Sequence, residues 1–419
     1  MSLSRGRDDM GIPNSYPGGA PRSASLHHET KESDMKRPIA FRTMSILVAA
    51  GTVAALAACG GGQDAAAPAD GEARDGWVDA ADLDLSGLGF DDDAEEAVRD
   101  LYQEAHDSGE ESMMMYGSNH TLREPLRELF MERFPGTELE TTELVGPQLQ
   151  STLETERSTG QNIGDQMENA GGARYASLGF SEQYLPPAFV MPEGLSENME
   201  SHMKGAEDGY VTAQWSLFGV GVNTDKMDPA DVPTDWAELA DPQWKDKIVM
   251  HDPSVPGGGQ GFLSRLYLSG AIDDATLEGI ADNVALKGEF AQTIQSLSQG
   301  EYPMMIGVDA PYVSLNKARG VPVEIVFMDE ENIAMPQQSF VMKDAPHPNT
   351  ARLWLNWIFS EEAQAVIAEA GNTPVVDVPS PHGLPAFSDA NLAEIPSQEA
   401  LDSEAEMISE KFGEVFQNR

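Results

Sequence analysis

The chain has 419 residues, of which 70 are Asp or Glu and 26 are Lys or Arg, giving a formal net charge of −44 at neutral pH. Such a negative field repels nucleic acids and anionic lipid surfaces, so the composition predicts no nucleic-acid partner. The single cysteine excludes an internal disulfide, and the length is ample for two lobes that each bury a core.

The segment from Met35 to Cys59 has the parts of a lipoprotein signal. Lys36 and Arg37 precede an apolar run that is too short to span a bilayer and ends in Leu-Ala-Ala-Cys. This ending resembles the lipobox of bacterial lipoproteins, which implies a lipid on Cys59 and a new N-terminus there. We therefore expect an exported protein, lipid-anchored to the cell membrane and facing the periplasm or the cell exterior. A buried helix with an unmodified cysteine is the disfavoured alternative.

The segments around this signal have distinct compositions. Residues 1–34 are polar and rich in Pro, Gly and Ser, so we interpret them as an extension upstream of a translation start at Met35, with a signal peptide over 35–58. Residues 59–92 are rich in Gly, Ala and Asp and are predicted to form a disordered acidic tether. Residues 93–108 are predicted to form an acidic helix, because Asp residues at its start favour the helix dipole.

Strand and helix patterns alternate from residue 112 onward. Residues 112–117 form a short apolar run typical of a buried strand, 122–134 have helical spacing, and 137–142 alternate like a second strand. This alternation predicts an α/β fold with a mostly parallel sheet. The later predicted elements are a helix through 157, a β-rich run over 215–224, a helix starting at 233–239, a strand at 247–250, helices at 262–269 and 274–299, strands at 302–308, 321–328 and 339–342, and helices at 352–369 and 399–416.

Seven segments between residues 112 and 380 occur in an order that is similar to the order found in a known protein family. They are 115–120, 154–165, 221–226, 233–249, 252–253 with its Gly-rich turn, 299–306, and 354–374. Together, behind a lipobox, they resemble bacterial extracellular solute-binding proteins of the type 2 periplasmic-binding-protein class, in particular the ferric-iron-type binding proteins of ABC transporters.

The resemblance implies two α/β lobes joined by hinge strands, with a ligand in the interlobe cleft. Lobe 1 is expected over 112–220 plus 335–378, and lobe 2 over 221–334 plus 379–419. The implied function is capture of a small molecule or oxyanion and its delivery to an ABC permease. A secreted lipoprotein enzyme and a ligand-sensing lipoprotein on the same fold are the alternatives. We expect the protein to have no enzymatic activity, because the sequence lacks the motifs Gly-x-Ser-x-Gly and His-Glu-x-x-His and a cysteine nucleophile.

Candidate ligand residues of the first lobe follow predicted strands. Ser118, Asn119 and His120 lie at the carboxyl end of the first strand, where ligands bind in open α/β sheets, although this loop is equally suited to cap the next helix. Arg174 is suited to a bidentate contact with a carboxylate or phosphate, the alternative being a surface salt bridge. Trp215 is a candidate cleft wall, the alternative being core packing.

Candidate ligand residues of the second lobe lie in two turns. Gly258, Gly259 and Gln260 belong to a Gly-rich run before a helix, which predicts backbone N–H groups that converge on an anion. A flexible loop is the alternative. Asp309 is a candidate partner for a cationic group and Tyr312 for stacking or hydrogen bonding. The alternative for Asp309 is capping of the following helix.

The resemblance also raises the question of ferric iron, whose ligands in that family include a tyrosine pair. The matching positions hold Ala310 and Pro311, and Tyr312 is the only nearby tyrosine. The expected acidic ligand position holds Ala170, whereas His120 does match the family's histidine. Three of four positions depart from the pattern, so we expect no cofactor and disfavour iron.

Overall fold

The computed structural model describes residues 76–118, 120–205, 207, 209–385 and 389–417. The predicted extension, the signal peptide, Cys59, most of the tether and Asn119 lie outside these residues. Across the described part of the chain, no helix is both long enough and apolar enough to cross a membrane.

The described strands form one mixed sheet. They are β1 Ser112–Gly117, β2 Glu138–Glu143, β3 Gln166–Asn169, β4 Val211–Asn223, β5 Ile248–His251, β6 Val284–Lys287, β7 Met304–Asp309, β8 Val323–Val326, β9 Ile333–Val341 and β10 Thr373–Pro374. Their order is β2-β1-β3-β9-β4-β7-β5-β6, with β8 and β10 also on β4. The pairs among β1, β2 and β3 and among β5, β6 and β7 are parallel, whereas β4 and β9 run antiparallel to their neighbours.

Helices cover the sheet and connect its strands. They are α1 Asp92–Ser108, α2 His120–Arg133, α3 Gly146–Thr159, α4 Gly172–Ser177, α5 Glu197–Met203, α6 Gly258–Leu268, α7 Asp274–Asn283, α8 Phe290–Ser298, α9 Ala310–Ala318, α10 Pro348–Trp357, α11 Glu361–Glu369, α12 Gln398–Ser403 and α13 Ala405–Gln417. The alternation of strands and helices confirms the predicted α/β class. The prediction of a mostly parallel sheet is wrong, because β4 and β9 pair antiparallel with each of their neighbours.

Two large apolar cores divide the molecule into halves. The core of the first half draws on residues 77–217 and 334–395, and the core of the second half draws on residues 218–335 and 408–416. Strands β4 and β9 contribute to both cores, so the chain crosses between the halves along these two strands. The exact lobe boundaries stay a prediction.

Two predictions about the ends of the folded body are wrong. The segment 76–92 is not a disordered tether, because Trp77, Leu83 and Leu88 are buried in the core of the first half. The C-terminal segment 379–419, which was predicted to belong to the second lobe, is divided between the two halves. Ala390 and Ile395 pack on the first half, whereas α13 packs on the second through buried Phe412.

Two predicted helices are interrupted. The stretch 274–299 contains β6, which pairs with β5 and separates α7 from α8. The stretch 352–369 breaks at Ser360, whose hydroxyl accepts a hydrogen bond from the Ala363 N–H and so begins α11 as a new helix. The helix predicted to start over 233–239 is a short 3₁₀ turn capped by Asp235.

A buried polar network ties the first half to the crossing strands. The Glu168 carboxylate lies 3.1 Å from the Arg123 guanidinium and accepts hydrogen bonds from Gln214 on β4 (2.7 Å) and Ser339 on β9 (3.1 Å). Glu168 and Arg123 are both buried. At Gly117 a Cβ atom would lie 2.3 Å from the guanidinium, so a larger residue there would displace the pair.

Candidate functional site

A cavity of about 570 Å³ opens between the two halves. The first half contributes the start of α3 and the turn between β3 and α4, and the second half contributes the start of α6. Phe218 of β4 and Met335 of β9 line it from the crossing strands, and α12 and α13 close one side. Another cavity, of about 550 Å³, is lined by residues 192–195 and 373–385 of the first half alone.

The Gly-rich turn of the second half forms the N-terminus of α6. Gly258 and Gln260 line the cavity, as the anion-nest hypothesis requires. Gly259 does not, because its N–H donates to His251 Nδ1 at 2.9 Å. A Cβ at Gly259 would lie 2.2 Å from the His251 carbonyl oxygen, so only glycine fits there. The prediction of a ligand contact by Gly259 is therefore wrong, and its role is to seat α6 against β5.

His251 positions this turn. Its Nδ1 accepts the Gly259 N–H, so the proton lies on Nε2, which donates to the Gly288 carbonyl oxygen at 3.3 Å. The Phe290 ring packs against it, with centroids 5.8 Å apart. The turn thus leads directly into α6, which begins at Gly258.

Arg265 lies further along α6 and also lines the cavity. Its Nη1 donates to the Gly261 carbonyl oxygen at 3.0 Å, and its buried Nε has no hydrogen-bond partner in the described part of the chain. Burial lowers the pKa of the guanidinium to about 10, so it remains a cation at neutral pH. The sequence interpretation missed Arg265, although its position on the same helical face as Gly258 and Gly261 was a usable signal.

Arg174 faces Arg265 from the first half. It lies on α4, lines the same cavity and pairs with Asp402 of α12 at 3.4 Å. The side chains of Arg174 and Asp402 are 45% and 43% exposed, so this pair contributes little to stability. Arg174 therefore lines the cleft, as predicted, and also forms a surface salt bridge, as the alternative interpretation expected.

Asp309 ends β7 and is 5% exposed. Its Oδ1 has no hydrogen-bond partner among the described residues, and its side chain does not cap α9, contrary to the capping alternative. Burial raises the pKa of this carboxyl to about 7. The neighbouring Tyr312 packs edge-on against Phe290, with centroids 5.2 Å apart.

Comparison with known proteins identifies the family. The sequence profile described as bacterial extracellular solute-binding protein matches residues 178–404, just over half of the chain. The chain belongs to this family. The family predicted from the sequence is therefore confirmed.

Curated relatives of this solute-binding protein match only in part. Iron uptake protein A2 of Synechocystis sp. is 26% identical over 201 residues, which are 44% of this chain and 56% of that protein. A Haemophilus influenzae protein is 25% identical over 210 residues, 48% of this chain and 59% of its own length. The chain thus spans just over half the length of the curated relatives it matches.

Solved structures share the fold at low sequence identity. Iron-bound HitA from Pseudomonas aeruginosa has a TM-score of 0.61 at 16% identity, covering 72% of this chain and 99% of HitA. The periplasmic binding protein AfuA from Actinobacillus pleuropneumoniae, with exogenous fructose-6-phosphate bound, has a TM-score of 0.61 at 17% identity, covering 73% of this chain and 98% of AfuA. The predicted two-lobed periplasmic-binding-protein fold is confirmed.

The remaining predicted ligand residues of the solute-binding protein fall in different places. Ser118 is partly buried at the end of β1, and His120 begins α2. Trp215 is 0% exposed and lies in the core of the first half, so the prediction of a cleft wall is wrong. β4 is buried along its whole length, which is why its pattern did not separate core from cleft positions.

The expectation that iron is disfavoured as a ligand remains a prediction. Ala310 and Pro311 are buried at the start of α9. Within the described residues, no group of three His, Cys, Asp or Glu side chains is arranged to hold a metal ion.

The pH dependence of stability is expected to report the burial of Asp309. Because its folded pKa of about 7 exceeds the ordinary value of 3.8 for an aspartate, the folded state holds this proton more tightly than the unfolded state. Stability is therefore lost as the pH rises through this interval, by on the order of 4 kcal/mol. In thermal melts at a series of pH values, Asp309→Asn should gain stability over the wild type between pH 4 and 7. A constant difference across that range would contradict the assignment.

Proposed function

We propose that this protein captures a small anionic solute in the cavity between its halves and delivers it to an ABC permease. The observation that carries the proposal is the pair of guanidinium groups, Arg174 and Arg265, which line one cavity from opposite halves. Hinge closure around a ligand is the usual motion of this architecture, and closure on an anion would bring both cations to it.

The chemistry of the cavity supports an anionic ligand. The start of α6 adds backbone N–H groups and the positive end of the helix dipole beside Arg265. Hydrogen bonds from a guanidinium to a carboxylate or phosphate are among the strongest in proteins. The volume of about 570 Å³ suits an organic molecule, as in AfuA with its bound sugar phosphate. Iron is disfavoured because Tyr312 stands without the second tyrosine.

We also propose that the protein is anchored to the membrane surface and acts as a receptor and not as an enzyme. An anchor on Cys59, with residues 60–75 as the tether, would hold the receptor near its permease at the membrane surface. Mass spectrometry of the mature protein should find a lipid-modified Cys59 as the N-terminal residue. A mature chain that retains Met1 would contradict the anchor and leave the solute-binding proposal standing.

A thermal-shift screen tests the binding proposal. The panel should hold organic phosphates, phosphonates, carboxylates, polyamines and ferric citrate. A true ligand at one hundred times its dissociation constant should stabilise the protein by about 2.7 kcal/mol, and closure should reduce the radius of gyration in solution scattering. Stabilisation by anions, lost in Arg265→Met, is the expected result. A response to polyamines or iron alone would overturn the anionic assignment.

A further inference from the structure

The C-terminal segment joins the two halves of the molecule in addition to the crossing strands β4 and β9. Ala390 and Ile395 are buried in the core of the first half. The Ile395 N–H donates to Asn198 Oδ1 at 2.9 Å, and the Ile395 carbonyl oxygen accepts from Asn198 Nδ2 at 3.0 Å. Helix α13 is held on the second half by buried Phe412. The stretch 396–404, which contains α12, therefore passes from one half to the other.

Helix α12 carries the only acidic side chain that lines the cavity between the halves, among the residues that the structure describes. This side chain is Asp402. The other two charged residues that line the cavity are the cations Arg174 and Arg265. In a chain with 70 Asp and Glu residues, this cavity is thus nearly free of acidic groups. Its one carboxylate lies where the chemistry is otherwise suited to an anion.

The Asp402 carboxylate is directed to Arg174. Its Oδ1 accepts hydrogen bonds from Arg174 Nη1 at 3.4 Å and from Gln398 Nε2, one turn earlier on α12, at 3.0 Å. The contact with Arg174 is long and joins one nitrogen to one oxygen, whereas a bidentate carboxylate or phosphate makes two short hydrogen bonds to a guanidinium. A solute that binds in the bidentate way is therefore a stronger partner for Arg174 than Asp402 is.

The pair is also easy to separate. The side chains of Arg174 and Asp402 are both well exposed, and exposed ion pairs contribute little to stability because water replaces the contact on both sides. Helix α12 buries none of its residues. The carboxylate can therefore leave Arg174 without opening a core.

We propose that Asp402 is an internal competitor of the solute, whose carboxylate holds Arg174 in the empty protein and is displaced by the anionic group of the solute. This inference rests on the proposed function, in which the anion binds between Arg174 and Arg265. Asp402 thereby lowers the affinity for the anion, and its return to Arg174 favours release of the solute.

Calorimetry on the full protein with inorganic phosphate, propyl phosphate, butyrate and citrate tests this assignment. Asp402→Asn keeps the size of the side chain and removes its charge, so it should raise the affinity for the anions that bind by about fivefold. In an Arg174→Met background, the same replacement should change the affinity by less than about twofold, because Asp402 then has no cation to occupy.

The matched control is Glu399→Gln, which removes one negative charge from an exposed position of the same helix that does not line the cavity. Its affinity should stay within about twofold of the wild type. An unchanged or lower affinity in Asp402→Asn, an equal gain in Glu399→Gln, or a gain that persists in the Arg174→Met background overturns the competitor assignment and leaves the anion receptor standing. Failure of every anion to bind the wild type and the variants overturns both proposals. Far-UV circular dichroism of each variant confirms that it is folded.

Discussion

Replacement of Arg265 by methionine is expected to lower the affinity for an anionic solute by about 100-fold while leaving the empty protein as stable as before, or more so. Truncating one partner of a desolvated charge pair costs several kcal/mol of binding, which supports the first effect. The second follows because Arg265 has no carboxylate partner in the described structure and its Nε makes no hydrogen bond. Removing an uncompensated, partly buried cation relieves a cost of folding.

Calorimetry with the best anion of the screen and thermal melts of the empty protein measure these two effects. Arg319→Met makes the same change at an exposed position that ends α9, and should alter neither quantity. A structural role for Arg265 would give the opposite pattern, in which Arg265→Met melts early and any protein that remains folded binds the anion normally. Such a result would remove the cation from the ligand site.

Glu168→Gln is expected to destabilise the protein by about 3 kcal/mol, because it leaves the buried Arg123 guanidinium without its counter-charge. The same carboxylate accepts hydrogen bonds from Gln214 and Ser339, so the change also weakens the attachment of the first half to both crossing strands. Urea unfolding followed by circular dichroism measures the free energy of unfolding.

A double variant separates charge from packing at this network. Arg123→Met combined with Glu168→Leu removes both charges, and replacement of a whole buried pair by apolar residues is often neutral. We expect the double variant to recover most of the stability that Glu168→Gln loses. A loss below about 1 kcal/mol in the single variant would show that solvent screens the pair and that the network does not hold the crossing strands.

The sequence correctly predicted those helices and strands that are determined by interactions between residues close together in the chain. The strand at residues 112–117 and the helix that ends before Gly160 were predicted at or close to their observed bounds, because apolar periodicity and a left-handed glycine cap act within a few residues. β6 was missed because Val284–Lys287 continues an apolar pattern of helical spacing, and only its pairing with β5 makes it a strand. The burial of Trp77 likewise depends on a distant partner surface.

The site was predicted in outline, and its charged residues were predicted only in part. The sequence indicated Gly258, Gln260 and Arg174, which follow recognisable turn and helix signals and do line the cavity. Arg265 shares a helical face with Gly258 and Gly261, which was a usable signal, but its lack of a carboxylate partner among the described residues depends on how the two halves pack. The sequence did indicate Asp309 as a partner for a cation, but only the structure shows that its buried Oδ1 has no hydrogen-bond partner among the described residues.

A crystal structure of the protein with its tightest-binding solute tests whether the cavity between the halves is the binding site. We expect the solute to lie between the two halves, with its anionic group within hydrogen-bonding distance of the Arg265 guanidinium and the first N–H groups of α6. A solute bound in the cavity of the first half alone, or on the outer surface, would contradict it.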